Sequence, residues 1–156
     1  KYLFNLIKIY FKKEIKNIIK NKIRINISGR LQELPLEIRK TLTTAIKQTK
    51  KNKNLTINLA INYGSKNEII DAAKKLSSKS KKINEKNINH SLYADIAFPD
   101  ILVRTGGQKR LSNFMLWQLA YTEIFFLDKL WPDFSKNDLN NIIKKFHKIK
   151  RNFGGV

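Results

Sequence analysis

Apolar residues open the chain at helical spacing. Phe4, Ile7, Phe11, Ile15 and Ile18 fall on one side of a 3.6-residue period, which predicts an amphipathic helix from Tyr2 to Lys22. The period then shortens to two. Ile23 to Ile27 alternates with Arg24 and Asn26 and reads as a strand closed by Ser28-Gly29. Pro35 sits well near a helix start, so Leu36 to Lys50 is predicted as the next helix. Leu55 to Ile61 alternates again, and Asn62-Tyr63-Gly64-Ser65 is a turn. Lys66 to Leu76 follows as a helix with Ile69, Ala72, Ala73 and Leu76 on one side. Strands alternating with helices predict an α/β fold, a largely parallel sheet flanked by helices, in a single domain over residues 1–156.

The second half carries the candidate chemistry. Ile101 to Val103 is short and β-branched enough for a buried strand, and Gly106-Gly107 turn the chain into a loop just after Arg104. Arg104 therefore stands where a strand empties into a loop, the edge at which open α/β sheets collect ligands. Ser112 is a candidate N-cap. Phe114, Trp117 and Tyr121, with Met115 and Leu119, recur at helical spacing behind it, predicting a helix whose first N–H groups face the loop. Arg104, Arg110 and the Ser112 hydroxyl suit a diphosphate, since guanidinium groups pair with phosphate oxygens. Glu123, three helical turns on, is a candidate Mg²⁺ ligand, because Mg²⁺ takes one or two carboxylates with phosphate oxygens and water. Taken singly, these residues are a solvated arginine, a cap and a surface glutamate. Their order and spacing make a phosphate site.

The same segment carries a family resemblance. Arg104-Thr105-Gly106-Gly107-Gln108-Lys109-Arg110-Leu111-Ser112-Asn113-Phe114-Met115-Leu116-Trp117-Gln118-Leu119-Ala120-Tyr121-Thr122-Glu123 resembles the signature of the cis-prenyltransferases, the family of undecaprenyl diphosphate synthase. The likeness continues through Leu130-Trp131-Pro132-Asp133-Phe134 and upstream through Leu55 to Gly64. It implies that Arg104, Arg110, Leu111 and Ser112 bind isopentenyl diphosphate and that Glu123 binds Mg²⁺. The implied reaction is repeated cis-condensation of isopentenyl diphosphate onto an allylic diphosphate such as farnesyl diphosphate, supplying a carrier lipid for cell-wall biosynthesis. A homodimer in the cytoplasm, with peripheral membrane contact, is the implied setting.

Two positions depart from the family pattern. Gln108 stands where the family usually has Glu, and Asn152-Phe153-Gly154 replaces its Arg-Phe-Gly, with Arg151 one place early. The family's Asp-Gly-Asn element, which supplies the catalytic Asp, and its Ser-Ser-Glu-Asn-Trp segment have no counterpart. The expectation is a C-terminal portion that holds the isopentenyl diphosphate half of the site, contains no catalytic residue, and does not turn over alone. A catalytically silent partner subunit, or a decayed fragment of such an enzyme, is the alternative.

Composition adjusts this picture in a few places. The 156 residues carry 32 Lys and Arg against 12 Asp and Glu, a net charge of +20. Such a charge is the footprint of a nucleic-acid binder, but the lysines are scattered with no interleaved aromatics, so a solvated surface is the better reading and no nucleic-acid partner is expected. The absence of cysteine excludes disulfides and thiolate metal sites. No apolar run approaches the roughly 20 residues of a membrane span. Ser77 to Lys82 reads as an exposed connector, and His90 and His147 lack companion ligands. Ser135 and Asp138 form a capping-box-like start to a last helix predicted to reach Lys150, ended by the Gly154-Gly155 tail.

Overall fold

In the computed structural model, which describes residues 2–94 and 96–151, the chain forms two compact units, Lys1–Asp95 and Ile96–Val156. The Asn152-Phe153-Gly154 motif and the Gly154-Gly155 tail lie outside the described residues.

The first unit is a βαβ arrangement with a helix on either end. Helix α1 spans Tyr2–Lys20 and stops before the predicted Lys22, which takes a left-handed φ of 53°. Strand β1 (Ile23–Ser28) leads through a 3₁₀ turn at Leu31–Glu33 into helix α2 (Leu36–Thr49). Strand β2 (Leu55–Ala60) then lies parallel to β1, with Ile23 opposite Leu55 and Ser28 opposite Ala60. Helix α3 (Ser65–Ser77) and the short α4 (Glu85–Asn89) complete the unit. Its core is the one the patterning implies: Phe11 from α1, Ile25 and Ile27 from β1, and Ile38, Leu42 and Ala45 from α2 are buried together with Leu34. Leu42 has no exposed surface at all.

The second unit pairs β3 (Ile101–Arg104) with β4 (Glu123–Phe126), again in parallel, and ends in helix α5 (Lys136–Phe146). The predicted capping box is present, the Ser135 hydroxyl accepting from the Asp138 N–H while the Asp138 carboxylate accepts from the Ser135 N–H. The helix stops at Phe146 rather than Lys150, with His147 as its C-cap.

The largest correction concerns the helix predicted after Ser112. Residues 105–122 form turns and no helix. Ser112, Asn113 and Met115 take left-handed φ angles of 49°, 62° and 46°, and a non-glycine run there cannot continue a right-handed helix. The apolar spacing is genuine, but Asn113, Phe114, Trp117, Tyr121 and Thr122 are all weak helix formers. Three backbone contacts, Phe114 N–H to Leu111, Leu119 N–H to Met115 and Thr122 N–H to Leu119, close isolated turns instead. Parallel neighbours need a crossover of a dozen or more residues, and this stretch serves as one without a helix.

Candidate functional site

Arg104 is the last residue of β3 and lies half-buried. Its Nη1 donates to the Arg110 carbonyl and to the Ser112 hydroxyl, the latter at 3.2 Å. Three of the expected residues are thus drawn together across the glycine loop. Arg104, Arg110 and Leu111 also line one concavity of about 200 Å³ with Leu102, Val103 and Phe114. Two guanidinium-bearing residues face it, no Asp or Glu lines it, and Leu102, Val103, Leu111 and Phe114 give it an apolar wall. A small anion with a short hydrocarbon part matches that lining.

The glycines serve the loop rather than the ligand. Gly106 and Gly107 have φ of 88° and 73°, angles that residues with a Cβ rarely adopt. Their N–H groups donate to the carbonyls of Lys129 and Leu127, at 2.8 and 2.9 Å, and the Leu127 N–H donates back to Arg104. The loops leaving β3 and β4 are therefore stitched to each other. Without a helix after Ser112, no helix N–H groups face the loop, and the donors gathered there are the side chains of Arg104, Arg110 and Ser112.

Glu123 is not among them. It opens β4 opposite Ile101, whereas Arg104 lies opposite Phe126. Three residues of strand separate the two positions, about 10 Å at the usual rise. Its N–H donates to the Asp100 carbonyl at 3.0 Å, tying it to the chain entering β3. Arg151 is committed nearby: it pairs with Asp100 at 2.7 Å, donates to the Tyr121 carbonyl at 3.0 Å and lies over the Phe146 ring. Its place in the chain end is thus an anchoring one.

A second constellation, in the first unit, escaped the sequence reading. Gly29 follows β1 so closely against the loop after β2 that a Cβ there would lie 2.0 Å from the Ile61 carbonyl oxygen. Next to it, Arg30 and Asn62 exchange hydrogen bonds of 3.1 Å in both directions. The Arg30 guanidinium grips Asp71 of α3 with two bonds of 2.8 and 2.9 Å, and the Tyr93 hydroxyl reaches the same carboxylate. Those donors, Arg30 first and Tyr93 second, hold the Asp71 carboxyl below its ordinary range. Burial, with the hydrogen bond to Asp71, pushes the Tyr93 phenol up to about 12. One turn earlier on α3, the buried Glu68 accepts from the Tyr63 hydroxyl at 2.6 Å and from the Tyr93 N–H at 3.0 Å. Two carboxylates spaced i, i+3 on a helix, with a tyrosine in the preceding turn, were the available signal.

Parallel strands, and a strand-end arginine sharing a pocket with a second one, define an α/β protein with a basic concavity at the carboxyl end of a strand. Residues 1–154 match the prenyltransferase family described as undecaprenyl diphosphate synthase. An isoprenyl transferase of Fusobacterium nucleatum is 41% identical over 155 residues, covering 99% of this chain and 67% of the relative. One of Rickettsia bellii is 46% identical over 156 residues, covering 98% and 69%. Among solved structures, a probable undecaprenyl diphosphate synthase from Campylobacter jejuni superposes with a TM-score of 0.91 at 37% identity, covering 99% of this chain and 74% of that one. Lavandulyl diphosphate synthase from Lavandula x intermedia, solved with dimethylallyl diphosphate, gives 0.90 at 30%, covering 99% and 70%. The chain belongs to the cis-prenyltransferase family, and it spans about two thirds of the length of the isoprenyl transferases it matches.

Proposed function

We propose that this protein works in the elongation of polyprenyl diphosphates, contributing the site for isopentenyl diphosphate. The observation that carries the reading is the convergence of Arg104, Arg110 and Ser112 at the carboxyl end of β3. The diphosphate lies against the two guanidinium groups and the Ser112 hydroxyl, and the five-carbon part against Leu102, Leu111 and Phe114. In the reaction an allylic diphosphate loses pyrophosphate while the double bond of isopentenyl diphosphate attacks C1; loss of a proton then leaves the new cis double bond. Fixed cations keep the acceptor oriented, which favours the bimolecular step by proximity.

Mg²⁺ fits the donor set as well as a single carboxylate allows. Among the described residues no group of three or more His, Cys, Asp or Glu gathers into an all-protein cage, and Mg²⁺ is commonly held by one or two carboxylates with substrate phosphates and water. Glu123 is the residue proposed to hold it. When bound, the ion would neutralise charge building on the departing pyrophosphate. Among the described residues no helix is long and apolar enough to cross a membrane. The setting proposed with this reaction is the cytoplasm, in a homodimer that touches the membrane peripherally and supplies carrier lipid for the cell wall.

The test is an elongation assay on the full product of the coding sequence, with farnesyl diphosphate, labelled isopentenyl diphosphate and Mg²⁺. Labelled polyprenyl product that disappears in Arg104→Ala supports the reading. Tight binding of isopentenyl diphosphate without any product points to the silent-subunit alternative, which Gln108, exposed beside the loop, keeps open.

A further inference from the structure

A second concavity, of about 340 Å³, lies between β1 and α2, and the proposed prenyl chemistry does not use it. Arg24, Asn26, Thr43, Ile46, Lys47 and Lys50 line it. The spacing that builds it is regular. Arg24 and Asn26 are two apart on a strand and so share a face, while Thr43, Lys47 and Lys50 fall at i, i+4 and i+7 along one stripe of a helix. Arg24 and Asn26 are half-buried, and the two lysines stand at the exposed rim.

Among the described residues no carboxylate compensates its charge. Elsewhere Lys8 pairs with Glu37, Arg30 with Asp71 and Glu33, Lys129 with Asp138 and Arg151 with Asp100. None of the ion pairs among the described residues involves Arg24, Lys47 or Lys50, and no carboxylate lines the pocket. Three like charges around one hollow repel each other, and a bound polyanion relieves that repulsion. A guanidinium fork, two ammonium groups and an amide supply donors to several phosphoryl oxygens at once, while the Thr43 hydroxyl is committed to the Arg39 carbonyl at 2.8 Å. Ile46 adds one apolar contact.

We propose that this pocket is a second diphosphate-binding site, distinct from the Arg104 site, with Arg24, Lys47 and Lys50 on the phosphoryl oxygens. The ligand is a small molecule with two adjacent phosphoryl groups, either free pyrophosphate or an alkyl diphosphate. Calorimetric titration of the Arg104→Ala protein, once with inorganic pyrophosphate and once with dimethylallyl diphosphate, separates the two sources. Saturable binding of both assigns recognition to the phosphoryl groups, and binding of the alkyl compound alone assigns it to an isoprenoid. In the same background Arg24→Gln, Lys47→Gln and Lys50→Gln together should weaken binding at least about tenfold, as expected for lost charge-assisted hydrogen bonds. Neutralising Lys79, Lys81 and Lys82 changes net charge equally, and should leave affinity within about twofold. Equal losses in the two triple variants, or no saturable binding in the Arg104→Ala protein, would overturn the proposal. Should the first triple variant lose its helical circular dichroism, Lys47→Gln with Lys50→Gln, both exposed, takes its place in the same comparison.

Discussion

Replacing Glu68 by alanine should be among the most damaging single changes in the first unit. The side chain is 1% exposed, yet both its oxygens are engaged, one by the Tyr63 hydroxyl at 2.6 Å and the other by the Tyr93 N–H at 3.0 Å. Hydrogen bonds to a charged group contribute about 1.5–3 kcal/mol each, so losing the two acceptors costs about 3–6 kcal/mol. Water entering the space left behind recovers part of this, which favours the lower end, about 3 kcal/mol. A typical urea dependence of about 1–3 kcal/mol per molar then lowers the unfolding midpoint by about 1–3 M. Glu68→Gln keeps an oxygen for the Tyr93 N–H and sets an amide against the phenol, which can turn to accept, so it should cost about 1 kcal/mol. Urea unfolding followed by circular dichroism measures both. A loss below about 1 kcal/mol in Glu68→Ala, or equal losses in the two variants, would refute the claim that this carboxylate holds the Tyr63 turn and Tyr93 together.

Other consequences can be checked on the same preparations. Gly29→Ala forces a Cβ within 2.0 Å of the Ile61 carbonyl at a φ of 135°; thermal melting should show a loss of more than about 2 kcal/mol, and a neutral result would show that the loops after β1 and β2 part easily. Because Asp71 is held below the ordinary carboxylate range by Arg30 and Tyr93, its contribution is present above about pH 4 and fades as pH falls through its folded value. Asp71→Asn should therefore be less stable at neutral pH and show a flatter acid limb. Tyr93, raised to about 12, acts at the other end: its contribution is full below about pH 10 and is lost as pH climbs through 12, so Tyr93→Phe should flatten that alkaline limb. Glu123→Gln should lower Mg²⁺-stimulated turnover of the full product while metal-free binding of isopentenyl diphosphate stays within about twofold; a matched loss of both would place Glu123 in the Arg104 site.

Much of the fold was legible because local pattern and tertiary environment agree. The 3.6-residue spacing of Phe4, Ile7, Phe11 and Ile15 and the alternation of Ile23, Ile25 and Ile27 meet in one core, so period alone located α1 and β1. The same logic failed from Ser112 to Tyr121, where helical spacing coincides with weak helix formers and the chain adopts left-handed turns. Having taken Glu123 for a helical residue, the reading also missed β4, whose alternation runs for only four residues, Glu123–Phe126. The place of Arg104 at a strand end was legible from the apolar run before it and the glycine pair after it. The Arg30–Asp71–Tyr93 cluster was not, because its members lie 22 and 41 residues apart in sequence and only the fold joins them.

The central claim is that Arg104 holds a diphosphate rather than the fold. Its contacts to the Arg110 carbonyl and the Ser112 hydroxyl are made at an exposed loop, where such bonds add little to stability. Calorimetric titration of isopentenyl diphosphate into the wild-type and Arg104→Ala proteins, alongside their melting curves, tests this directly. The account predicts affinity lower by about 10- to 150-fold, the equivalent of one or two charge-assisted hydrogen bonds, with the melting temperature nearly unchanged. Unchanged affinity would contradict it, and a markedly lowered melting temperature would make Arg104 a structural residue.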